Sequence, residues 1–354
     1  MTRKAQSWLS VVLVVAGQAY AAEVSADEVG IQRISSIPQD AGEHLLFLLQ
    51  QIVNAATVSA VYGLIALGYT LVFRIIGRIN LAFGDFAMVG GVFTFVTLAV
   101  LASLGEFLTP LALAVTLLLV AATGAVYGAV SFRLVFNPLR RAATYAPIVA
   151  TLGLGIALRE LVRLTQGAQT RWLPPVYSDT LVLWHSAGYS LTIVPGQLLV
   201  IGLVLMVYGG IWWLLCRTRF GYRFRASSED PGMAALCGVA VERVVAQTVA
   251  LSTALAMLSG YILMIHYGGV DTASGFFIGF KALVAAVVGG IGSVPGAMLG
   301  GLLIGLLETF WAAYFSFEYR DIAVFAVLTL VLIFRPTGIM ADALHREDGR
   351  CSSR

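Results

Sequence analysis

Apolar residues do not alternate with polar ones along this chain; they come in long unbroken blocks, separated by short polar, glycine-rich or arginine-bearing breaks. Blocks at 45–73, 82–104, 108–132, 146–164, 191–216, 244–264, 276–290, 296–315 and 321–335 are mostly within the roughly 17 to 25 residues that cross a bilayer as a helix. The pieces at 276–290 and 321–335 are short for a full span. The pattern therefore predicts an all-α, polytopic transmembrane bundle of eight or nine spans, some of them broken or partial. Ahead of it, Arg3 and Lys4 precede a short apolar run, Trp8 to Ala16, and the small-residue pattern Ala19-Tyr20-Ala21. That run is short for a span, so residues 1–22 read as a cleavable secretory signal, and 23–44 as a short acidic external tail. Residues 45–340 form the membrane domain, and 341–354 a polar tail at its end.

Composition supports that reading. Of 354 residues, 59% are hydrophobic and 12% charged, and the mean hydropathy is +0.88, outside the range of ordinary soluble domains. The charges then give orientation. Arg74 and Arg78, Arg133, Arg140 and Arg141, Arg217 to Arg225 with Arg243, and Arg335 to Arg354 fall at alternate ends of successive blocks. They share one face, which the positive-inside rule makes the cytosol. The N-terminus then lies outside and the C-terminus in the cytosol. A net charge of +3, carried in short loops beside the membrane, points to lipid headgroups and not to nucleic acid.

Chemistry that the chain lacks narrows its function. There is no G-x-x-x-x-G-K-[ST] phosphate loop, so ATP is not bound here by that device. Cys216, Cys237 and Cys351 have no metal-ligand spacing, and the four histidines form no evident acid-base pair. The chain reads as a conduit or a transport subunit, with no metal, no cofactor of its own and no enzymatic centre.

Candidate functional residues follow from placement. Lys281 is the only lysine after Lys4, and Glu308 lies in the next block at a similar depth from the outer face. Three readings stand: a structural ion pair, a lysine reaching back to the interface, or a border to a path for a zwitterionic solute. Asp85 opens the second block, where it complements the helix dipole and can pair with Arg78, or can serve as a cytosolic gate. Arg159, Glu160 and Arg163 sit near the outer end of the fourth block, where long side chains reach for the interface. Gly289, Gly290, Gly292 and Pro295 interrupt helical periodicity, either as a tight turn or as a hinge lining a path. The segments 75–91 and 287–301 both pass through glycine into Ala-Met-x-Gly-Gly, a faint internal echo.

The longest cytosolic loop, 217–243, carries its own helix signals. Asp230 is a good N-cap, Pro231 suits the first turn, and Gly238 can close the C-terminus in a left-handed conformation. A short helix there can dock in a partner's groove or connect two spans beside anionic lipid.

Three separated patterns then resemble one family. Ile79-Asn80-Leu81-Ala82-Phe83-Gly84-Asp85 followed by Met88 and Gly90 is the first. Gly221-x-x-x-Arg225-Ala226-x-x-Glu229 with Ala234, Ala235 and Gly238 is the second. The third runs from Phe280-Lys281-Ala282 through Gly289-Gly290-Ile291-Gly292-Ser293-Val294-Pro295-Gly296-Ala297. With Glu318-Tyr319-Arg320-Asp321 and Arg335-Pro336-Thr337-Gly338 they look like the permeases of branched-chain amino acid ABC importers, of the LivH type, in the same order over roughly 45 to 340. The resemblance implies a subunit of the bacterial inner membrane that pairs with a second related permease, two cytosolic ATPase subunits that bind the ATP, and a periplasmic solute-binding protein. It implies that Arg225, Glu229, Ala234, Ala235 and Gly238 belong to a coupling helix docking on an ATPase. Asn80, Asp85, Lys281, Gly289, Gly290, Gly292, Pro295 and Glu308 are the candidates for the translocation path. Two departures stand out: family members commonly have histidine where this chain has Phe83, and the exported tail is not typical of them. A secondary transporter or channel for a small polar solute is the competing class.

Overall fold

A computed structural model describes residues 41–103, 109–141, 145–167, 171–173, 181–185, 190–315, 317–335 and 337–340. The signal sequence, all but the end of the external tail, the C-terminal tail with Cys351, Glu106, Pro174-Pro175 and Pro336 lie outside the described residues.

All nine apolar blocks are helices. They are α1 (Ala41–Ile76), α2 (Phe83–Ser103), α3 (Pro110–Ser131), α4 (Ala146–Gln166), α5 (Pro195–Arg217), α8 (Val241–Tyr267), α9 (Ser274–Gly289), α10 (Val294–Tyr314) and α11 (Arg320–Phe334). Two further helices, α6 (Arg219–Glu229) and α7 (Pro231–Leu236), occupy the loop between α5 and α8. Among the described residues, six helices are long and apolar enough to cross a membrane: α1, α2, α3 with its continuation to Phe136, α5, α8 and α10. α9 and α11 are shorter, at 16 and 15 residues, and α4 carries three charged residues of its own.

α1 and α8 form the centre. In each, 83% of the most apolar stretch is buried, against 28% in α3 and α5. Helices apolar all round need protein on all sides, while those with one buried face leave the other for lipid. α3 packs on α8 as α10 packs on α1, α2 lies against α8 as α9 lies against α1, and α4 joins α2 as α11 joins α9. The block α1–α4 is thus repeated by α8–α11 in the opposite sense, the pattern of an inverted repeat. The sequence echo does not mark this repeat: it matches the α1–α2 junction with the α9–α10 turn, whereas the packing pairs α2 with α9.

Small residues set the crossings. Gly84, on the first turn of α2, lies against the Gly275 carbonyl and the Gly279 backbone of α9, so a Cβ there would collide with main chain. Gly260 of α8 meets the backbone of Ala87 and Gly91 in the same way, and Gly301 and Gly305 of α10 meet Gly63 and Ser59 of α1. Close backbone approach of this kind is how membrane helices gain contact without a hydrophobic driving force.

The α1–α2 junction is not a simple surface turn. α1 ends at Ile76 and Gly77 has φ 69°, after which the chain runs back alongside its own helix. The Phe83 ring meets the Tyr69 ring edge-on with centroids 5.0 Å apart, and Tyr69 precedes the end of α1 by about seven residues, or about 10 Å at 1.5 Å per residue. α2 therefore starts recessed within the bundle, beside the first turn of α9. Two amides of the non-helical stretch find side-chain acceptors: Leu81 N–H donates to Thr151 Oγ1 at 3.3 Å and Ala82 N–H to Asn80 Oδ1 at 3.1 Å. Irregular backbone survives in a membrane protein on that condition.

Between the ends of α4 and α5 lie two short pairings. A hairpin joins β2 (Leu181–His185) to β3 (Ser190–Ile193), and β1 (Arg171–Trp172) pairs antiparallel with β4 (Gly269–Val270) beyond α8.

Candidate functional site

The arginine-bearing ends of the helices gather at one end of the bundle. At the other, α1, α8, α9, α10 and α11 splay around a cleft of about 950 Å³. Its walls combine aliphatic and aromatic groups, Val58, Val61, Leu263, Phe277 and Ile278, with Gln51 and Asn54 from α1. The β1–β4 pairing holds Trp172 at the rim, and Leu173 N–H donates to Gly268 O at 2.6 Å to fix it.

The cleft is floored by charge. Lys281 Nζ lies 2.8 Å from Glu308 Oε1 and 2.6 Å from Asp321 Oδ1. The Asp321 contact is an ion pair without hydrogen-bond direction, since Oδ1 accepts no well-aligned donor from the described residues. Tyr62 O–H donates to Glu308 Oε2 at 2.6 Å. Arg320 Nε completes the set, 3.4 Å from Glu308 and 3.6 Å from Asp321, with its guanidinium 3.9 Å over the Phe317 ring. Two cations and two carboxylates from three helices thus cancel, and α1 adds the phenol. The Lys281 and Glu308 side chains are only 7% and 8% exposed, so Lys281 does not reach back to the interface. It is held inside as a clasp between α9, α10 and α11, and the clasp borders the cleft. Arg320 and Asp321 were visible in the sequence only inside the Glu-Tyr-Arg-Asp quartet; Tyr62 gave no signal, being one aromatic in an apolar block.

One measurable consequence concerns Tyr62. A hydrogen bond to a charged group contributes about 1.5–3 kcal/mol. Tyr62→Phe is expected to lower the melting temperature of the purified protein by several degrees without changing its yield in the membrane; an unchanged melting curve would remove Tyr62 from the clasp.

Asp85 does not pair with Arg78. Because α2 starts recessed, its first turn lies at the depth of the middle of α4, and Asp85 Oδ1 accepts from Arg159 Nη2 at 2.9 Å and Nε at 3.3 Å. Arg78 Nη1 donates instead to the Leu139 carbonyl at 3.3 Å. Arg159 accordingly turns inward, while Arg163 and Glu160 form a loose exposed pair at 3.6 Å. Phe83, the departure from the family pattern, is fully buried on Tyr69. Asn80 is also fully buried, and its Nδ2 has no hydrogen-bond partner among the described residues.

The glycine break is a turn at the arginine-rich end, remote from the cleft. Gly290 (φ 108°) ends α9, Gly292 has φ 101°, and Ser293 Oγ caps α10 by accepting from Gly296 N–H at 3.0 Å, with Pro295 in the first turn. Gly289 packs on the Gly296 backbone. The chain after α11 returns to this turn: Ile339 N–H donates to Val288 O at 3.0 Å and Met340 N–H to Gly289 O at 3.1 Å.

In the loop after α5, Arg225 Nη1 donates to the Leu215 carbonyl at 2.9 Å and ties α6 back to α5. Asp230 Oδ1 accepts from Gly232 N–H at 2.8 Å and Met233 N–H at 3.0 Å, and Gly238 has φ 83°. α7 is thus capped at both ends, as its residues require. Ala234 anchors it; Glu229, Ala235 and Gly238 are exposed, and Met233 and Leu236 project outward.

Among the described residues, no three His, Cys, Asp or Glu side chains converge as a metal site. Comparison with known proteins gives the class. No solved structure matches the chain. The permease protein BraD of the high-affinity branched-chain amino acid transport system of Pseudomonas aeruginosa is 37% identical over 82% of this chain and 95% of its own length. LivH, the corresponding protein of Escherichia coli K12, is 36% identical over 84% of this chain and 97% of its own. Residues 51–332 match the family described as branched-chain amino acid transport system, permease component, and the chain belongs to that family of multi-pass membrane proteins.

Proposed function

We propose that this chain is one membrane subunit of an ATP-driven importer that carries a small amino acid of the branched-chain type, or an amide-like solute, into the cell across the bacterial inner membrane. The observation that carries the reading is α7. A doubly capped helix of six residues that buries Ala234 and offers Met233 and Leu236 outward suits a groove on another protein, and it stands in a chain whose relatives are transport permeases. The arginines around it, on Arg74, Arg217, Arg219 and Arg243, favour the cytosolic side. The cleft then opens to the periplasm, where a binding protein delivers solute, and the N-terminus is outside and the C-terminus inside.

In this reading the partners are a second related permease, two cytosolic ATPases that bind and hydrolyse the ATP, and the binding protein. ATP-driven closure of the ATPases pushes on α7 and, through α6 and Arg225, on α5 and α8. Lys281 and Glu308 floor the vestibule. Asn80 and Asp85 lie on the recessed junction beyond it, and the Gly289 to Pro295 turn lets the α9–α10 hairpin tilt.

The test is affinity purification of the tagged protein from its native membrane in mild detergents, with copurifying chains identified by mass spectrometry. Two ATPases and one further permease per chain are expected. Recovery of the chain alone in every detergent would sink the importer and favour a secondary transporter or channel for a small polar solute.

A further inference from the structure

A second pair of opposite charges lies on a different side of α9 from the cleft. Phe276, which faces it, and Lys281, which floors the cleft, are five residues apart, about 140° around the helix. The pair is Asp85 on the first turn of α2 and Arg159 on α4. It leaves hydrogen-bonding groups unused. Both guanidinium contacts, from Nη2 and Nε, go to the same oxygen, Asp85 Oδ1. Asp85 Oδ2 receives no hydrogen bond from the described residues; it rests against Gly155, where a Cβ would overlap it. The guanidinium has five N–H donors, and those not used on Asp85 find no other acceptor among the described residues.

Exposure points the same way. The Asp85 side chain is 4% exposed and that of Arg159 is 28%, so the guanidinium has an open side and the carboxylate a narrow one, where Oδ2 is not sealed off. One flank of that opening is the Phe276 ring, 5.8 Å from the guanidinium carbon. Arg159 is thirteen residues past the start of α4 at Ala146 and seven before its end at Gln166, about 20 Å and 10 Å along the axis at 1.5 Å per residue, and so within the span and not at its end. A charge at that depth with unused donors faces a polar path or a charged ligand and not hydrocarbon. The same recessed segment holds Asn80, fully buried, with its Nδ2 unpartnered among the described residues, near the start of α2. α4 packs on the body chiefly through α2 and the segment after α3, so the pair sits at a seam and not in a sealed core.

We propose that Asp85 and Arg159 form a binding station for the main-chain charges of an amino acid, Arg159 taking the solute carboxylate and Asp85 Oδ2 its ammonium, while the Phe276 ring borders the side chain. The station rests on the importer reading for the identity of its solute. A zwitterion fits because it can join the pair without changing its net charge, which a lone anion or cation cannot do in a low-dielectric site. The Lys281 network balances its charges across three helices, whereas the Asp85 pair leaves one carboxylate oxygen and part of the guanidinium unused.

The experiment uses the complete importer with its binding protein in proteoliposomes, and reads radiolabelled leucine uptake together with ATP hydrolysis. In the double variant D85N/R159Q, neither charge is left stranded. It is expected to assemble and to keep ATP hydrolysis stimulated by the binding protein, while ATP consumed per leucine taken up rises about tenfold or more, the scale of a charged group losing its partner. An unchanged ratio assigns the pair a structural role and overturns the proposal. Should that variant fail to assemble, R159K decides: it keeps the charge but loses the fork of donors, and the ratio is expected to rise several-fold. An unchanged ratio in R159K, or its failure to assemble as well, likewise overturns the station. A wild-type complex that neither hydrolyses ATP nor accumulates leucine sinks the importer reading itself, whereas an active one with unaffected variants sinks only the station.

Discussion

Lys281→Met is expected to cause the largest loss of stability of any single substitution in the membrane domain. Lys281 is the nearest positive charge to both carboxylates, at 2.8 Å from Glu308 and 2.6 Å from Asp321. Without it, Glu308 keeps Tyr62 and a 3.4 Å contact to Arg320, and the cluster carries a net negative charge. Breaking a buried pair by removing one partner costs about 3–5 kcal/mol, mostly because the other charge is stranded. Removing both is far less damaging, so K281M/E308Q is expected to recover much of the loss, with Arg320 left to balance Asp321 at 3.6 Å. Melting curves of the purified single and double variants check this. Equal destabilisation of K281M and K281M/E308Q would mean that the lysine stem, and not its charge, is what α9 contributes here.

The same cluster shows what the chain discloses before it is folded. Lys281 and Glu308 could be paired from the sequence because consecutive blocks form an antiparallel hairpin, and equal distances from one end put two residues at equal depth. Asp85 defeats that arithmetic. Depth counted along an apolar block assumes that the block starts at the membrane surface, and α2 does not: the chain after Gly77 runs back beside α1 before the helix begins. Nothing in the apolar pattern encodes that return. Its traces are Asn80 and Thr151, whose side chains satisfy the stranded amides, and Gly84, whose missing Cβ admits α9. Each is an ordinary residue in isolation. Local signals fared better where local physics decides, as in α7, whose Asp230 cap and Gly238 terminus form as their chemistry demands. α6, immediately before it, was not foreseen, since an arginine-rich stretch reads as loop until Gly221 and Phe224 pack it onto the bundle.

The inverted repeat gives these two charged sites a common logic. α2 and α9 begin side by side at Gly84 and Gly275 and run in opposite senses, so each presents its first turn within the protein and not at a membrane surface. Positive helix ends at that depth attract carboxylates, and Asp85 occupies one of them. The clasp lies about two turns further along α9, where it ties the α9–α10 hairpin to α11. A tilt of that hairpin therefore moves the Lys281 floor of the cleft and the Phe276 edge of the second pair together. The far end of the same hairpin is held by the returning chain at Ile339 and Met340.

The second large effect is expected at the opposite end of the molecule, on coupling alone. Met233 and Leu236 are three residues apart, so they share one face of α7, and Leu236 is 83% exposed. Both are mostly exposed, Met233 at 58%, and Ala234 and the Asp230 cap hold the helix in position. If α7 fills a groove on an ATPase, an apolar anchor at its end is where binding energy concentrates, and losing one such anchor costs at least about 2 kcal/mol, or roughly thirtyfold in affinity. M233D/L236D, which adds two desolvated charges to that loss, is expected to abolish both the recovery of ATPase subunits and solute uptake. The melting temperature of the chain itself should stay within a degree or two, because the substituted side chains are solvent-facing. Arg219→Ala, on the same loop but in α6 and outside that face, is the matched control and is expected to retain the ATPases. Wild-type recovery of ATPases by M233D/L236D would show that α7 is a connector between α6 and α8, and the energy input to this subunit would have to arrive by another surface.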